Sequence, residues 1–190
     1  MALVFGAGRR APDGKASNVL RSLLAGGDRR SIAQSKRARV LMEKDASLVK
    51  ELASLTEDAD WLVALRALDL MEKIAHERPE RIAPYKRIFI GPLADSEQWE
   101  VRLQIVRALP LFRWTPTQMK RVEEILVENV TFPQTFVRAW ALDGLATLSE
   151  KNRRLRPAVQ RSLESVEQST SKALQARARL IRQRFATRSR

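Results

Sequence analysis

Asp69, Glu72 and His76 come nearest to a chemical site in this chain. Separations of three and four residues place them on one face of a helix, as in a partial metal site or an acid-base pair. A metal site in a helical bundle also needs a matching Glu and His set on a second helix, and the chain has one histidine. We therefore interpret the three residues as a solvated face, with His76 favoured by the helix dipole near the helix end.

Sequence motifs of the common enzyme classes are absent. The chain contains no HExxH, no GxSxG and no GxxxxGK[ST], and it has no cysteine that could act as a nucleophile or a metal ligand. We therefore predict a protein that is not an enzyme, with no catalytic residues, no metal and no cofactor.

The four tryptophans raise the question of base stacking. Trp61 and Trp99 occupy the same position in two units of an internal repeat, and such shared positions usually pack between units. Trp140 is predicted to lie partly in the core and partly at its edge, and Trp114, beside a turn, is the best candidate for an exposed ring. We predict core packing for three of the four.

Positive charge is concentrated at the two ends of the chain. Residues 1–45 carry +6, residues 46–150 carry −3 and residues 151–190 carry +10, which together give the net charge of +13. The last segment holds 12 bases and 2 acids, whereas an ordinary solvated cap mixes both signs. Such a field attracts acidic partners and phosphate-rich polymers. The candidates for these contacts in the last segment are Arg153, Arg154, Arg179 and Arg182.

Length and composition predict one folded domain. The chain has 190 residues, of which 44% are apolar and 30% are charged. Its N-terminus lacks the basic region of a signal peptide, and charged residues interrupt every apolar stretch well before the roughly 18 residues of a membrane span. We therefore expect a cytoplasmic protein, with a flexible basic arm at residues 1–17 and a single domain at residues 18–190.

The elements that position these residues follow from a segment that recurs about every 37 residues. Its aligned positions Val63, Val101, Val137 and Leu174 are 38, 36 and 37 residues apart, a period typical of stacked helix pairs. In the second helix of each pair, apolar residues recur at the 3.6-residue period. The predicted pairs occupy residues 46–76, 79–112, 115–148 and 152–185.

Glycines and prolines mark the predicted helix ends. A short helix at residues 19–24 should end at Gly26 and Gly27, and a further helix is predicted at residues 31–44. Within the pairs, the residues predicted to kink or end helices are Pro84, Pro92, Pro110 and Pro157.

The segment at residues 81–109 resembles a HEAT repeat. Its first helix ends at Leu93 and Asp95, and its second opens with Trp99, Val101 and Arg102; Val137 and Arg138 repeat the last two positions. The resemblance covers about residues 46–185. It implies an all-α fold, a right-handed α–α superhelix of the HEAT-like or armadillo type, whose second helices line a concave face and which serves as a binding scaffold.

This resemblance gives Arg102 and Arg138, which lie one repeat apart, two interpretations. In HEAT-like arrays the corresponding arginine pairs with the turn aspartate of a neighbouring unit, and Asp95 matches that turn. The first interpretation is therefore an inter-repeat ladder, and the second is a phosphate contact on the concave face.

Two functions follow as hypotheses. The first is a scaffold that binds an acidic protein or peptide through its concave face and basic ends, with Trp114 and Trp140 as further contacts. The alternative is binding of duplex DNA or RNA, because some HEAT-like arrays resemble DNA alkylation-repair glycosylases. Trp140 and Asp143 lie close together on a second helix, but they do not reproduce a motif of those enzymes. We expect a monomer, and we expect no membrane docking because the apolar face of the last helix is needed for packing.

Overall fold

The computed structural model describes residues 18–188, and every regular element in that range is helical. The predicted arm at residues 1–17 lies outside the described residues. The α-helices are α1 (Asn18–Leu24), α2 (Ser35–Lys44), α3 (Leu48–Leu55), α4 (Trp61–Glu77), α5 (Pro79–Ile82), α6 (Trp99–Ala108), α7 (Pro116–Val130), α8 (Thr135–Lys151), α9 (Arg156–Glu167) and α10 (Lys172–Arg188). Short 3₁₀ helices occupy Ala83–Ile90, Pro92–Asp95, Leu109–Leu111 and Arg153–Leu155.

The helices form an all-α solenoid with the predicted period. The second helices of the pairs, α4, α6, α8 and α10, begin at Trp61, Trp99, Thr135 and Lys172, so successive starts are 38, 36 and 37 residues apart. Each packs against the next, while α3, α7 and α9 pack against the second helices of their own pairs. Helices α1 and α2 lie beside α4 at the other end of the stack from α10.

One apolar core runs between the two layers of helices. The repeat positions Val63, Val101, Val137 and Leu174 are all buried, and so are the residues one turn later, Ala67, Ile105, Ala141 and Ala178. Burial of apolar surface stabilises this stacking by about 25 cal/mol for each Å² that is removed from water. The repeated sequence therefore produces the same buried contacts in each helix pair.

The link between α1 and α2 is held by Arg66, which is buried on α4. Gly26 and Gly27 end α1 with φ values of +78° and +71°. The Arg66 guanidinium donates hydrogen bonds of 2.6, 2.7, 2.9 and 3.0 Å to the carbonyl oxygens of Leu24, Gly26, Asp28 and Ser31. Helix α2 begins at Ser35 and not at residue 31 as predicted, because Ala33 has a φ of +47° that a right-handed helix cannot contain.

The predicted first helix of the second pair, at residues 79–94, is wrong. Only Pro79–Ile82 is α-helical, and two 3₁₀ segments follow. Pro84 lacks an N–H and its ring obstructs the preceding turn, and Gly91 is extended before Pro92. Pro110 likewise ends α6 at Ala108 and leaves a 3₁₀ turn. Pro84, Pro92 and Pro110 therefore interrupt helices as predicted, and together Pro84 and Pro92 replace most of one helix. The prediction for Pro157 is wrong, because Pro157 lies in the first turn of α9.

Helix α8 approaches its neighbours closely at Gly144. A Cβ atom there would lie 3.2 Å from Leu126 Cδ2 and 3.3 Å from the Val106 carbonyl oxygen. Glycine inside a helix costs about 1 kcal/mol relative to alanine. The close packing of α8 on α6 and α7 is therefore the structural reason for this residue.

Candidate binding surface on the second helices

The second helices present one side to the core and the opposite side to solvent. On α8 the core side carries the buried Val137, Ala141 and Leu145. We name the opposite side of α4, α6, α8 and α10 the second-helix face; it corresponds to the surface that the resemblance describes as concave. It consists of Leu62, Leu65, Asp69, Lys73, Glu100, Leu103, Arg107, Phe136, Trp140, Asp143, Thr147, Glu150, Ala173, Arg177, Leu180 and Arg184.

Two aromatic side chains lie exposed on this face in the N-terminal part of α8. Phe136 is 68% exposed and Trp140, one helical turn later, is 37% exposed. Leu180 on α10 is a third large apolar side chain open to solvent. Adjacent exposed aromatics on a folded surface are typical of interaction sites.

Ion pairs join successive second helices beneath and beside these aromatics. We call this set the carboxylate ladder. In each rung an arginine reaches back to a carboxylate of the preceding second helix. The rungs are Arg107 to Glu72 at 3.1 Å, Arg177 to Asp143 at 2.7 Å and Arg184 to Glu150 at 3.1 Å.

The first rung corrects the interpretation of Asp69, Glu72 and His76 as a solvated face. Glu72 is fully buried, and His76 Nε2 lies 2.9 Å from its Oε1, on the same oxygen that Arg107 approaches. Burial raises the pKa of Glu72, and Arg107 and His76 oppose that rise. Asp69 is only half-buried and pairs with Lys73 at 2.6 Å.

Asp143 is the carboxylate of the second rung and lies next to Trp140 on the second-helix face. Burial raises its pKa, and the positive charges of Arg177 and Arg184 act in the opposite direction. The ladder therefore keeps partly desolvated carboxylates at the base of the face, each already facing an arginine of this chain.

Arg107 also fixes the orientation of Trp140. Its guanidinium carbon lies 5.1 Å from the centroid of the indole ring, within the range of a cation–π contact. Because Glu72 holds the guanidinium from the other side, the exposed indole rests on a positioned support. Trp140 is thus supported by Arg107 of α6, which is itself held by Glu72 of α4.

Two of the other three tryptophans, Trp61 and Trp114, differ from the sequence predictions. Trp61 is 39% exposed rather than packed between units, with the Arg29 guanidinium 5.7 Å from its ring centroid. Trp99 is half-buried against the core. Trp114, predicted to be exposed, is half-buried and donates its indole N–H to the Leu109 carbonyl at 2.8 Å. Trp114 is therefore committed to the fold, whereas Trp140 is available at the surface.

The predicted ladder through Arg102, Arg138 and Asp95 is not formed. Arg102 is buried and donates to the Ser96 carbonyl and to Glu128, both at 2.6 Å. Arg138 donates to the Val130 carbonyl at 2.9 Å, and Asp95 pairs with Arg121 at 2.6 Å. Both arginines tie helix starts to preceding turns and lie outside the second-helix face.

The C-terminal candidates divide into two groups. Arg153, Arg154 and Arg179 are exposed, and none forms a side-chain hydrogen bond or an ion pair with another residue of the described range 18–188. Arg182 instead makes a two-pronged contact with Glu167 at 2.5 and 2.9 Å, which lowers the pKa of that carboxyl. Unpaired positive charge therefore remains mainly at the start of the last helix pair.

The described part of the chain offers neither a metal-binding cluster nor a membrane-spanning helix. Among residues 18–188, no three or more His, Asp or Glu side chains are grouped so that they could hold a metal ion. Over the same part of the chain, no helix is long and apolar enough to cross a bilayer.

Comparison with known proteins identifies the fold. No family model matches the chain, and no curated protein matches it. Computationally designed armadillo repeat proteins for modular peptide recognition superpose with a TM-score of 0.63 at 19% identity, over 86% of this chain and 79% of that one. A designed armadillo repeat protein in complex with the peptide (KR)4 gives 0.61 at 19% identity, over 90% and 74%.

A third solved structure, described as an engineered protein, gives a TM-score of 0.59 at 24% identity, over 87% of this chain and 77% of that one. At these identities the likeness establishes the fold and not the ligand. The chain is an ARM/HEAT-like helical repeat, an armadillo-like α-solenoid, as the resemblance of residues 81–109 implied.

Proposed function

We propose that the protein is a non-enzymatic repeat scaffold that binds an extended segment of a partner protein or peptide on the second-helix face. The observation that carries this proposal is the exposure of Phe136, 68%, beside Trp140. A phenylalanine this exposed adds little to the core, and it would lose most of its contact with water under a partner. The likeness to designed peptide-recognising armadillo proteins supports the same mode of binding.

The dimensions of the face suit a short extended segment. From Phe136 to Glu150 the stripe on α8 covers 14 residue steps, or about 21 Å at the helical rise of 1.5 Å per residue. An extended peptide covers that distance in about six or seven residues. Trp140 is held by Arg107 before any partner arrives, so less side-chain freedom is lost on binding.

The partner is acidic in this proposal. Carboxylates of the second-helix face already have cationic neighbours in the carboxylate ladder. The start of the last helix pair, by contrast, carries exposed arginines without internal partners, such as Arg153 and Arg154. An acidic segment leaving the face at the end of α8 would meet these charges, which would speed its association.

A displayed random-peptide library, selected on the full chain, tests the proposal. We expect selected peptides to bind Phe136→Ala and Trp140→Ala at least tenfold more weakly, equivalent to about 1.4 kcal/mol. The matched control is Val127→Ala on α7, whose side chain is 39% exposed outside the face and whose truncation should leave affinity unchanged. Selected peptides that bind Phe136→Ala as tightly as the wild type would overturn the assignment of this face.

Nucleic-acid binding is the alternative function and has weaker support. Helices α1 and α2 lie at one end of the stack and α10 at the other, with α4, α6 and α8 between. Four helix spacings of 8–10 Å separate the two basic ends by about 32–40 Å. The second-helix face between them carries carboxylates such as Asp143 and Glu150, which do not favour a phosphate backbone. Tight, strongly salt-dependent binding of duplex DNA or RNA, abolished by reversing the charge of Arg153 and Arg154, would favour this alternative.

A further inference from the structure

The last helix pair contains a cleft outside the core and separate from Phe136 and Trp140. It lies where the end of α8, the start of α9 and the C-terminal half of α10 meet, and its volume is about 520 Å³. We name it the C-terminal cleft. Its floor is Val159, Leu163 and Phe185, and its rim is formed by Ser149, Glu150, Arg156, Gln160 and Arg182. The one carboxylate of this rim, Glu150, is paired with Arg184 at 3.1 Å.

The floor of the C-terminal cleft is apolar. Val159 and Leu163 are buried side chains one helical turn apart on α9, and Phe185 of α10 is half-buried opposite them. The volume falls within the range of natural ligand sites, about 300–1,000 Å³. There is room for one bulky apolar side chain and the backbone on either side of it.

The rim is polar and partly fixed in position. Glu167 holds Arg182 through two contacts, and the remaining Arg182 nitrogen, Nη1, lies 3.4 Å from Gln160 Oε1. Gln160 in turn donates to Glu164 at 2.6 Å. These contacts fix the orientation of the Arg182 guanidinium at the edge of the cleft. Arg156, on the same rim, is exposed and has no side-chain partner between residues 18 and 188.

The cations at the start of α9 are placed unfavourably for the dipole of that helix. Helix α9 has no acidic residue in its first turn, although carboxylates are favoured at that positive end of a helix dipole and cations are not. The neighbouring cations that also lack a side-chain partner in the described range are Lys151, Arg153, Arg154 and Arg161. Residues that destabilise their own helix in this way are expected at functional sites.

We propose that the C-terminal cleft binds an acidic peptide segment that places one bulky apolar side chain on the floor. Carboxylates flanking that side chain bind Arg156 and the arginines preceding it. Charge complementarity selects this occupant, because an acidic ligand would balance both the unpaired cations and the positive end of α9. The two proposals share Arg153 and Arg154 as charge contacts, but the cleft does not use Phe136 or Trp140, so variants of those aromatics separate one proposal from the other.

Fluorescence anisotropy with defined peptides tests this site on the full chain. The probe is an eight-residue labelled peptide with one leucine among glutamates and aspartates. One comparison peptide has serine in place of the leucine and keeps the charge. A second comparison peptide keeps the leucine and has glutamine and asparagine in place of the acidic residues. We expect each replacement to weaken binding at least tenfold. A serine peptide that binds equally well would reduce the site to unspecific charge attraction and overturn the proposal.

Protein variants separate the cleft from the surrounding charge. Arg156→Glu and Gln160→Trp, which fills the cleft from an exposed position, should each weaken the leucine peptide at least tenfold, with helicity checked by circular dichroism. Arg161→Glu makes the same charge change on α9 without lining the cleft, and it should weaken binding no more than about threefold.

Equal losses in Arg156→Glu and Arg161→Glu contradict the proposal, as does full affinity in Gln160→Trp. Phe136→Ala should leave this peptide unaffected.

Discussion

Arg107 on α6 reaches Glu72 on α4, with its Nε 3.1 Å from the Oε1 of that fully buried carboxylate. The same guanidinium lies against the ring of Trp140 on α8. One side chain therefore links three consecutive second helices, and the exposed Trp140 lies against a guanidinium that is paired with a buried carboxylate.

Replacement of Arg107 by methionine should destabilise the protein by about 2 kcal/mol. It leaves Glu72 buried, with the His76 imidazole 2.9 Å from its Oε1 as the remaining close partner. Removing one partner of a fully buried pair costs about 3–5 kcal/mol, and the loss is smaller here because Arg107 is partly exposed. Urea unfolding measures the loss. Adding Glu72→Gln should recover part of it, whereas strictly additive losses would show that the pair is not coupled. Arg121→Met, which breaks a more exposed pair with Asp95, should cost less than about 1 kcal/mol.

The raised pKa values predict how stability varies with pH. Burial raises the folded-state pKa of Glu72 and of Asp143, so the folded state holds these protons more tightly than the unfolded chain. Their contribution is greatest below the ordinary carboxyl pKa, about 4, and declines as the pH rises through the folded-state value. The free energy of unfolding of Glu72→Gln, relative to wild type, should therefore rise as the pH is raised from about 4 to 7.

Glu167→Gln provides a control of opposite sign for that pH series. Arg182 lowers the pKa of Glu167, so its stabilising contribution is present above the unfolded-state pKa and is lost as the pH falls through the folded-state value. Its deficit relative to wild type should grow as the pH is raised. Parallel slopes for Glu72→Gln and Glu167→Gln would contradict the assigned causes.

Loss of Arg66 should loosen the first helices before the rest of the array. Its four hydrogen bonds satisfy carbonyl oxygens between Leu24 and Ser31, and bonds to a charged group contribute about 1.5–3 kcal/mol each at most. We expect Arg66→Met to lose about 3 kcal/mol and to speed amide hydrogen exchange in residues 18–44 more than in α8. Uniform exchange throughout would show that Arg66 acts on the whole fold.

Gly144→Val should lower the free energy of unfolding by about 1–3 kcal/mol, because its side chain would enter space held by Leu126 and the Val106 carbonyl. Thermal unfolding measures the change. Ala139→Val makes a comparable enlargement on α8 at a half-buried position and should stay within about 0.5 kcal/mol. A neutral Gly144→Val would mean that α8 can move away from α6 and α7 without cost.

The repeat and its helices could be predicted because they rest on local patterns. Apolar residues at the 3.6-residue period define the seam, and Val63, Val101, Val137 and Leu174 proved buried in all four units. The failed helix at residues 79–94 shows the limit of this reasoning. Apolar periodicity continued through Pro84 and Gly91, but the backbone there could not supply α-helical hydrogen bonds.

The carboxylate ladder could not be predicted because it depends on how one helix is rotated against the next. Glu72 and Arg107 are 35 residues apart, and no local pattern connects them. The exposure of Phe136, by contrast, could have been predicted from the sequence. Val137 continues with Ala141 and Leu145 as an unbroken apolar stripe, whereas Phe136 continues with Trp140, Asp143 and Thr147. Because the stripe that begins at Phe136 contains polar residues, it is expected to face solvent.

The unpaired cations at the start of α9 have a consequence for self-assembly. Within residues 18–188 the stack of helix pairs has two end surfaces to which a second copy could add. Here the last pair exposes arginines such as Arg153 and Arg154, and the first two helices expose Lys36 and Arg37. Stacking the tail of one copy on the head of another would bring like charges together, which opposes growth into filaments.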